Sequence, residues 1–367
     1  MRLLFLATDM ERGGAERQWA TLIPALARRG AETRLVCLNG EGPLFEEVRA
    51  AGVPVACLHL GGRTDAAALR RALGEAGGSP GAVVTRGVSP QLLGEAIARR
   101  AGAAHVLNEH TPLTADGELL RLRPHQQALT RLVAPLVDRV IAVSERQIEP
   151  LQSRGYRGER IVVVPNGVFD ADVAVSRRRE QVREELGLGE RDFAVLCVAN
   201  LRSEKGAGAF VEAISAARAQ VPALRGLLAG DGPQREQVAA LAAERGGVEL
   251  LGSRGDVPDL LAASDAFCLL SQAEALPISI LEAMALALPV VATSVGGMVE
   301  AVSHAQTGLI VPPRDASAAA GALARLAAQP EWARQLGESG RERQRELYAG
   351  DAMVERYERA LAEVATR

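Results

Sequence analysis

The sequence predicts an α/β protein of two doubly wound domains, each a parallel sheet covered by helices on both faces. Three observations carry this reading. The chain has 367 residues, more than one ordinary domain holds and enough for two. Short continuous apolar runs alternate with longer amphipathic stretches along nearly the whole length, and continuous runs mark strands buried on both sides. The alternation comes in two sets, parted by a turn signal and a charged stretch.

In the first set the strand-like runs are residues 3–7, 33–38, 53–58, 82–85, 105–109, 139–143 and 161–164, with amphipathic segments such as 15–29 and 92–100 between them. The second set has runs at 193–199, 224–229, 248–251, 266–270, 290–292 and 308–311. The boundary follows Pro165-Asn166-Gly167-Val168, which gives domains of 1–168 and 169–351. The polar run 176–180 reads as a solvated linker or helix face. Met353, Tyr357, Leu361 and Val364 recur at helical spacing and predict a final helix over 352–367.

Composition narrows the function classes. Hydrophobic residues make up 48% of the chain and charged residues 24%, a globular balance. Net charge is −3, which argues against a nucleic-acid partner. Residues 1–168 hold 21 arginines against 17 acidic residues, a mild basic excess that suits an acidic or membrane-bound acceptor. No apolar stretch is long enough to cross a membrane, and the first residues read as a buried strand, so a cytoplasmic protein is expected. Cys37, Cys57, Cys197 and Cys268 lie in apolar runs without CxxC spacing and read as reduced core residues. His59, His105, His110, His125 and His304 do not cluster with cysteines or carboxylates at metal-ligand spacing, so no zinc site is expected.

Several junctions carry chemistry. After the first strand, Gly13-Gly14 precedes a helix, so backbone can approach a ligand and the helix start can face a phosphate. It is not GxGxxG, which weakens a dinucleotide reading, and a plain loop fits equally well. After the first strand of the second set, Arg202 and Lys205 stand three apart, able to meet on one diphosphate. Lys205 is the only lysine among 42 basic residues. A chain that otherwise uses arginine throughout has kept a compact ammonium at one place.

The third junction runs from Ser271 to Ala283. Glu274 sits in a loop beyond a buried strand, Pro277 suits the first helical position, and Glu282 then falls on the second helical turn. N–H groups around Ile278, Ser279 and Ile280 suit a phosphate, while the two carboxylates suit hydroxyl donors. Gly230-Asp231-Gly232-Pro233 reads first as a tight turn, and Ser294-Val295-Gly296-Gly297 as a glycine turn into a helix. His110 follows a strand end, where a loop histidine and a ligand contact are both open readings.

Together these residues resemble glycosyltransferase family 4, whose GT-B fold sets two Rossmann-like domains facing each other. The landmarks are Gly13-Gly14-Ala15-Glu16-Arg17, Ala142-Val143-Ser144-Glu145, Pro165-Asn166-Gly167-Val168, Arg202-x-x-Lys205-Gly206, Gly230-Asp231-Gly232-Pro233 and Glu274-x7-Glu282. Pro289-Val290-Val291-Ala292-Thr293 and Thr307-Gly308-Leu309 complete the set. The resemblance implies retaining transfer from a nucleotide-diphosphate sugar to a sugar or lipid-linked acceptor in cell-envelope polysaccharide or glycolipid assembly. It implies no metal and no cofactor. Arg202 and Lys205 would hold the diphosphate, Glu282 the ribose and Glu274 the sugar, with His110 and the Gly13-Gly14 loop completing the site. The final helix would cross back to the first domain.

Three positions depart from the family pattern. Ala275 and Ala287 stand where glycines are usual, which would narrow the sugar pocket, and Arg86 would favour an acidic acceptor. The leucine- and arginine-rich stretch 119–136 either packs on the first sheet, the preferred reading, or lies on a bilayer surface. A sugar-nucleotide epimerase and a non-catalytic nucleotide-sugar-binding protein are the alternative functions. Oligomeric state is left open.

Overall fold

The computed structural model describes residues 1–61, 66–75 and 79–365. The chain forms two compact units: 1–111, 119–166 and 350–367 make the first, and 112–118 with 167–349 the second. Pro112–Glu118, placed in the first domain by the sequence, therefore belongs to the second unit. Thr366 and Arg367, the end of the expected final helix, lie outside the described residues.

The first unit holds a parallel sheet of seven strands: β1 (Arg2–Ala7), β2 (Glu32–Cys37), β3 (Val55–Cys57), β4 (Ala82–Thr85), β5 (Ala104–Glu109), β7 (Arg139–Ala142) and β8 (Ile161–Val163). Their order is β3-β2-β1-β4-β5-β7-β8. Every one was legible as an apolar run, because a strand sandwiched between helix layers is apolar on both faces. The core includes Phe5 and Trp19, whose rings meet edge to face at 5.1 Å. Burying side chains of this kind contributes roughly 1.5–3 kcal/mol each. The final helix, Gly350–Ala365, belongs to this unit, and Met353, Val354, Tyr357, Leu361 and Val364 form its buried stripe. Arg29 bonds Glu358 at 3.0 Å and Arg139 bonds Glu363 at 2.7 Å along its rim.

The second unit holds six parallel strands: β9 (Phe193–Val198), β10 (Leu224–Ala229), β11 (Val248–Gly252), β12 (Ala266–Leu269), β14 (Val290–Thr293) and β15 (Gly308–Val311), ordered β11-β10-β9-β12-β14-β15. Two further strands escaped the sequence. β6 (Leu113–Thr114) pairs antiparallel with β13 (Ala273–Glu274), setting Leu113 opposite Glu274. Strands of two residues leave no periodicity to read.

The run 176–180 is in part the expected helix face, with Arg178 and Glu180 exposed at the start of the Arg179–Glu185 helix, but it is not merely solvated. Ser176 N and Oγ reach the Asp259 carboxylate at 2.7 and 2.8 Å, and Arg177 N and Nε reach it at 3.1 Å. Arg177 also binds Glu185 and Asp256, while Arg179 and Arg183 both engage Asp265. Asp259 is buried. Alternate arginines of a run that reads as surface are thus the partners of acidic side chains some 80 positions away, a pairing that composition does not reveal.

Ala287 lies at the opposite end of its helix from the glutamate-bearing loop. The Ile278–Ala285 helix begins beyond the carboxyl end of β12 and ends before β14, so Ala287 sits at the amino edge of the sheet. It does not narrow a pocket beside Glu274. Its φ is +58°. Leu288 N bonds Ala283 O at 3.0 Å and Ala287 N bonds Met284 O at 2.9 Å, the two bonds of a Schellman cap. The usual glycine here answers to backbone conformation, and alanine holds the same conformation under strain.

Candidate functional site

In each sheet the strand order reverses beside the first strand of the set, between β1 and β4 in one unit and between β9 and β12 in the other. Ligands of doubly wound sheets bind beyond the carboxyl ends of the strands at such points. Both groups of candidate residues stand there.

In the second unit, β9 leads into a short 3-10 turn, Ser203–Lys205, and β12 leads through Ser271 to Glu274. Lys205 Nζ lies 2.7 Å from Glu274 Oε1. Ser271 Oγ donates to the same oxygen at 2.8 Å, and Thr293 Oγ1 donates to Ser271 O at 2.5 Å. Glu274 is buried, whereas Lys205 remains about a quarter exposed, with a side-chain exposure of 23%. The pair is a buried carboxylate held by a hydroxyl and neutralised by an ammonium that solvent can still reach. Two glycines permit the packing. Gly206 has φ +69°, and a Cβ there would come within 2.0 Å of Leu270 O. A Cβ on Gly296 (φ +47°) would meet Glu274 O at 1.9 Å. The glycine turn before the Met298 helix is therefore packed on the backbone of Glu274.

The other predicted residues of this unit take separate places. Arg202 is exposed at the start of the 3-10 turn. Pro277, expected at the first helical position, is instead the N-cap of the Ile278–Ala285 helix, which begins one residue later. A proline cap supplies no side-chain acceptor to the first-turn N–H groups of Ile278, Ser279 and Ile280. Ile278 and Ser279 are half-buried, Ile280 is buried, and Glu282 is half-buried on the second turn as expected. Ser271, Thr293 and Leu113, none of them given a role from the sequence, complete the frame around Glu274. Ser271 alone left a signal, a hydroxyl at the end of an apolar run three residues before the glutamate.

In the first unit, Gly13 caps the Gly14–Arg28 helix without a side-chain hydrogen bond. Glu16, on the first turn, closes on that end: a Cβ at Gly13 would lie 2.1 Å from Glu16 Oε2. Glu16 Oε1 is paired with Arg86 at 2.6 Å. The Arg86 guanidinium also reaches Asp9 O at 3.3 Å and lies over the Trp19 ring at 5.2 Å. Arg86, expected to meet an acidic acceptor, is already matched by a carboxylate of its own unit.

His110 is fixed by a chain of donors. Trp19 Nε1 donates to Asn108 Oδ1 at 2.6 Å, and Asn108 Nδ2 donates to Ile141 O at 3.3 Å. An indole N–H only donates, so the oxygen of Asn108 must face it. His110 Nε2 lies 2.9 Å from that oxygen and must donate in turn, leaving Nδ1 as the acceptor. Desolvation, then the Arg86 guanidinium, push the imidazole pKa well below its ordinary 6.5. The ring is neutral at pH 7 with a defined tautomer.

Cys197 and Cys268 are buried core thiols, and burial pushes Cys197 up to about 12. The histidines do not all stand apart from cysteines and carboxylates, however. Folding brings His59 to Cys57 and Glu41 in the first unit.

Comparison with known proteins shows the family. The glycosyl transferases group 1 profile matches residues 178–343, and the glycosyltransferase family 4 profile matches residues 12–171. A GDP-mannose-dependent alpha-(1-6)-phosphatidylinositol monomannoside mannosyltransferase of Mycolicibacterium smegmatis is 30% identical over 68% of this chain and 68% of its own length. The chain belongs to glycosyltransferase family 4. It is also 30% identical to N-acetyl-alpha-D-glucosaminyl L-malate synthase of Bacillus anthracis over 66% of this chain, and it spans less than two thirds, 64%, of that relative's length. Anabaena Alr3699/HepE, solved in complex with UDP, superposes with a TM-score of 0.86 at 20% identity, covering 99% of this chain and all of the other. The fold is GT-B.

Proposed function

We propose that the chain transfers a sugar from a nucleotide-diphosphate donor to a sugar or lipid-linked acceptor, with retention and without a metal ion in the reaction. The observation that carries the proposal is the Lys205–Glu274 pair at the switch point of the second sheet. On this reading Lys205, assisted by Arg202, meets the charge that builds on the leaving diphosphate, the role a divalent cation would otherwise fill. Glu274, held by Ser271, accepts from hydroxyls of the donor sugar, and Glu282 accepts from the ribose. First-turn N–H groups of Ile278, Ser279 and Ile280 face phosphate oxygens. The acceptor nucleophile attacks on the face the leaving group vacates, and a donor phosphate oxygen takes its proton. In the first unit, His110 Nδ1 accepts from a hydroxyl, and the Gly13-Gly14 helix start faces a phosphate. The Anabaena neighbour's UDP supports a uridine donor, and the mycobacterial relative's GDP-mannose supports a guanosine one.

Thermal unfolding with UDP, GDP, ADP and their common sugars tests this. A ligand at 100 times its Kd adds about 2.7 kcal/mol. A shift with one nucleotide, absent in Lys205→Ala, is the expected outcome. No shift with any of them would overturn the donor assignment, and equal shifts in wild type and variant would overturn the role of Lys205. Turnover that survives exhaustive chelation is expected, and its loss would refute metal independence.

A peripheral membrane contact is proposed alongside, on a separate observation. The Pro124–Val133 helix buries only Thr130 and Val133, so most of it does not pack as the sequence suggested. Leu132 and Leu136 are 66% and 38% exposed, two of the four exposed large apolar side chains among the described residues. Arg121, Arg123 and Arg131 are exposed around them, and no acidic residue occurs from 119 to 137. No described helix is long and apolar enough to cross a membrane. This face suits an anionic bilayer, which would hold the enzyme at the inner, cytoplasmic face of the membrane. Co-sedimentation with phosphatidylglycerol vesicles, lost in Leu132→Glu, is expected. Absence of binding at low salt would remove the proposal.

A further inference from the structure

A bulge at the end of β3 brings a thiol, an imidazole and a carboxylate together at one edge of the first sheet. β2 and β3 pair in parallel with Cys37 opposite Cys57. Past the paired residues, Leu58 N bonds Cys37 O at 2.9 Å and Leu60 N bonds Leu38 O at 2.8 Å. Two donors two residues apart thus meet consecutive carbonyls, so His59 is the extra residue of an irregular ladder. Its φ is +47°, one of four non-glycine residues with positive φ among those described. Such a conformation costs about 1–3 kcal/mol and persists only where the surroundings impose it. Bulges of this kind redirect a side chain.

The redirected imidazole points at two potential ligands. His59 Nδ1 lies 3.6 Å from Cys57 Sγ, and His59 Nε2 lies 3.9 Å from Glu41 Oε1. One donor atom from each of Glu41, Cys57 and His59 falls within 4.8 Å of the others. The backbone beneath Glu41 is anchored, since Met10 N donates to Glu41 O at 3.1 Å and Gly42, at φ +73°, packs on Met10. Bonds of about 2.3 Å to sulfur and about 2.0 Å to nitrogen, at tetrahedral angles, place the two donors about 3.5 Å apart. The observed separation of Cys57 Sγ and His59 Nδ1 already matches, which makes Nδ1 the coordinating nitrogen, and Glu41, which faces Nε2, has to turn to the Nδ1 side to complete the set.

We propose that Glu41, Cys57 and His59 form a binding site for a divalent cation of the zinc class, with the fourth coordination position open. The ligand chemistry selects the ion. A thiolate with an imidazole suits borderline-soft Zn2+ or Co2+, whereas Mg2+ and Ca2+ want oxygen alone. The site stands beyond β2 and β3, with its Glu41 backbone anchored on the loop after β1. A bound ion would pin the segment after β3 to the loop after β2.

Cobalt titration of tag-free, chelator-stripped full-length protein tests the site. A thiolate-to-cobalt charge-transfer band, saturating at about one equivalent and abolished by zinc, is expected. Cys57→Ser should remove the band, His59→Ala should weaken binding by about a hundredfold, and Glu41→Gln by about tenfold, each with an unchanged circular dichroism spectrum. Cys37→Ser should keep the band. No thiolate band in the wild type would overturn the proposal. So would a band that survives Cys57→Ser, or binding unchanged in His59→Ala.

Discussion

Lys205 Nζ and Ser271 Oγ converge on one oxygen of Glu274, at 2.7 and 2.8 Å. The carboxylate is therefore oriented by its own unit. An arriving diphosphate would share or take over the ammonium, which makes the pair a point where donor binding changes the electrostatics of the carboxylate.

Turnover should fall by at least about a hundredfold in Lys205→Ala, the scale of losing one preorganised electrostatic contact to the transition state. The fold should stay intact, because Ser271 still holds Glu274. Steady-state kinetics with circular dichroism would check this, and near-native turnover would refute the assignment. Ser271→Ala should produce a smaller loss of turnover without loss of nucleotide binding.

Ala287→Gly should stabilise the second unit by about 0.5–1 kcal/mol, raising its Tm by about 2–4 °C. The left-handed cap at φ +58° is relieved by removing the Cβ. Differential scanning calorimetry would report it, and a lowered Tm would show that the alanine methyl packs usefully.

Asp259 links the 176–179 segment to the sheet-bearing part of its unit. Burial alone would raise its pKa, but hydrogen bonds from Ser176 and Arg177 outweigh that and hold it well below the ordinary carboxylate value. A depressed folded pKa means stability that is present above the unfolded value near 3.9 and lost as pH falls toward the folded one. Acid unfolding of wild type should steepen below about pH 4. Asp259→Ala should cost about 2–4 kcal/mol at neutral pH. Urea melts at pH 7 and pH 3.5 would measure both, and a variant as stable as wild type at pH 7 would contradict the role of the network.

His110 should not titrate between pH 5 and 8, since its pKa is pushed far below 6.5. Nitrogen-detected NMR should show a protonated Nε2 and a bare Nδ1 across that range. Trp19→Phe, which frees the Asn108 oxygen from its indole donor, should relax the tautomer and lower turnover. A titration midpoint near 6.5 in the wild type would disprove the constraint.

The sequence by itself determined the layers. All thirteen strands of the two large sheets were legible, because continuous apolar runs between amphipathic segments have one economical arrangement, parallel strands under helices. It also placed Lys205, Glu274 and Gly13 after strands, and the strand order sets those strands at the switch points. Only the tertiary structure decided the partners. Arg177 with Asp259, Lys205 with Ser271 and Glu274, Trp19 with Asn108 and His110, and His59 with Glu41 are each set by contacts between distant segments. The physical reason is that periodicity records which face a residue presents to an apolar layer. The polar contact it makes at a strand end depends on which loops the sheet order brings together.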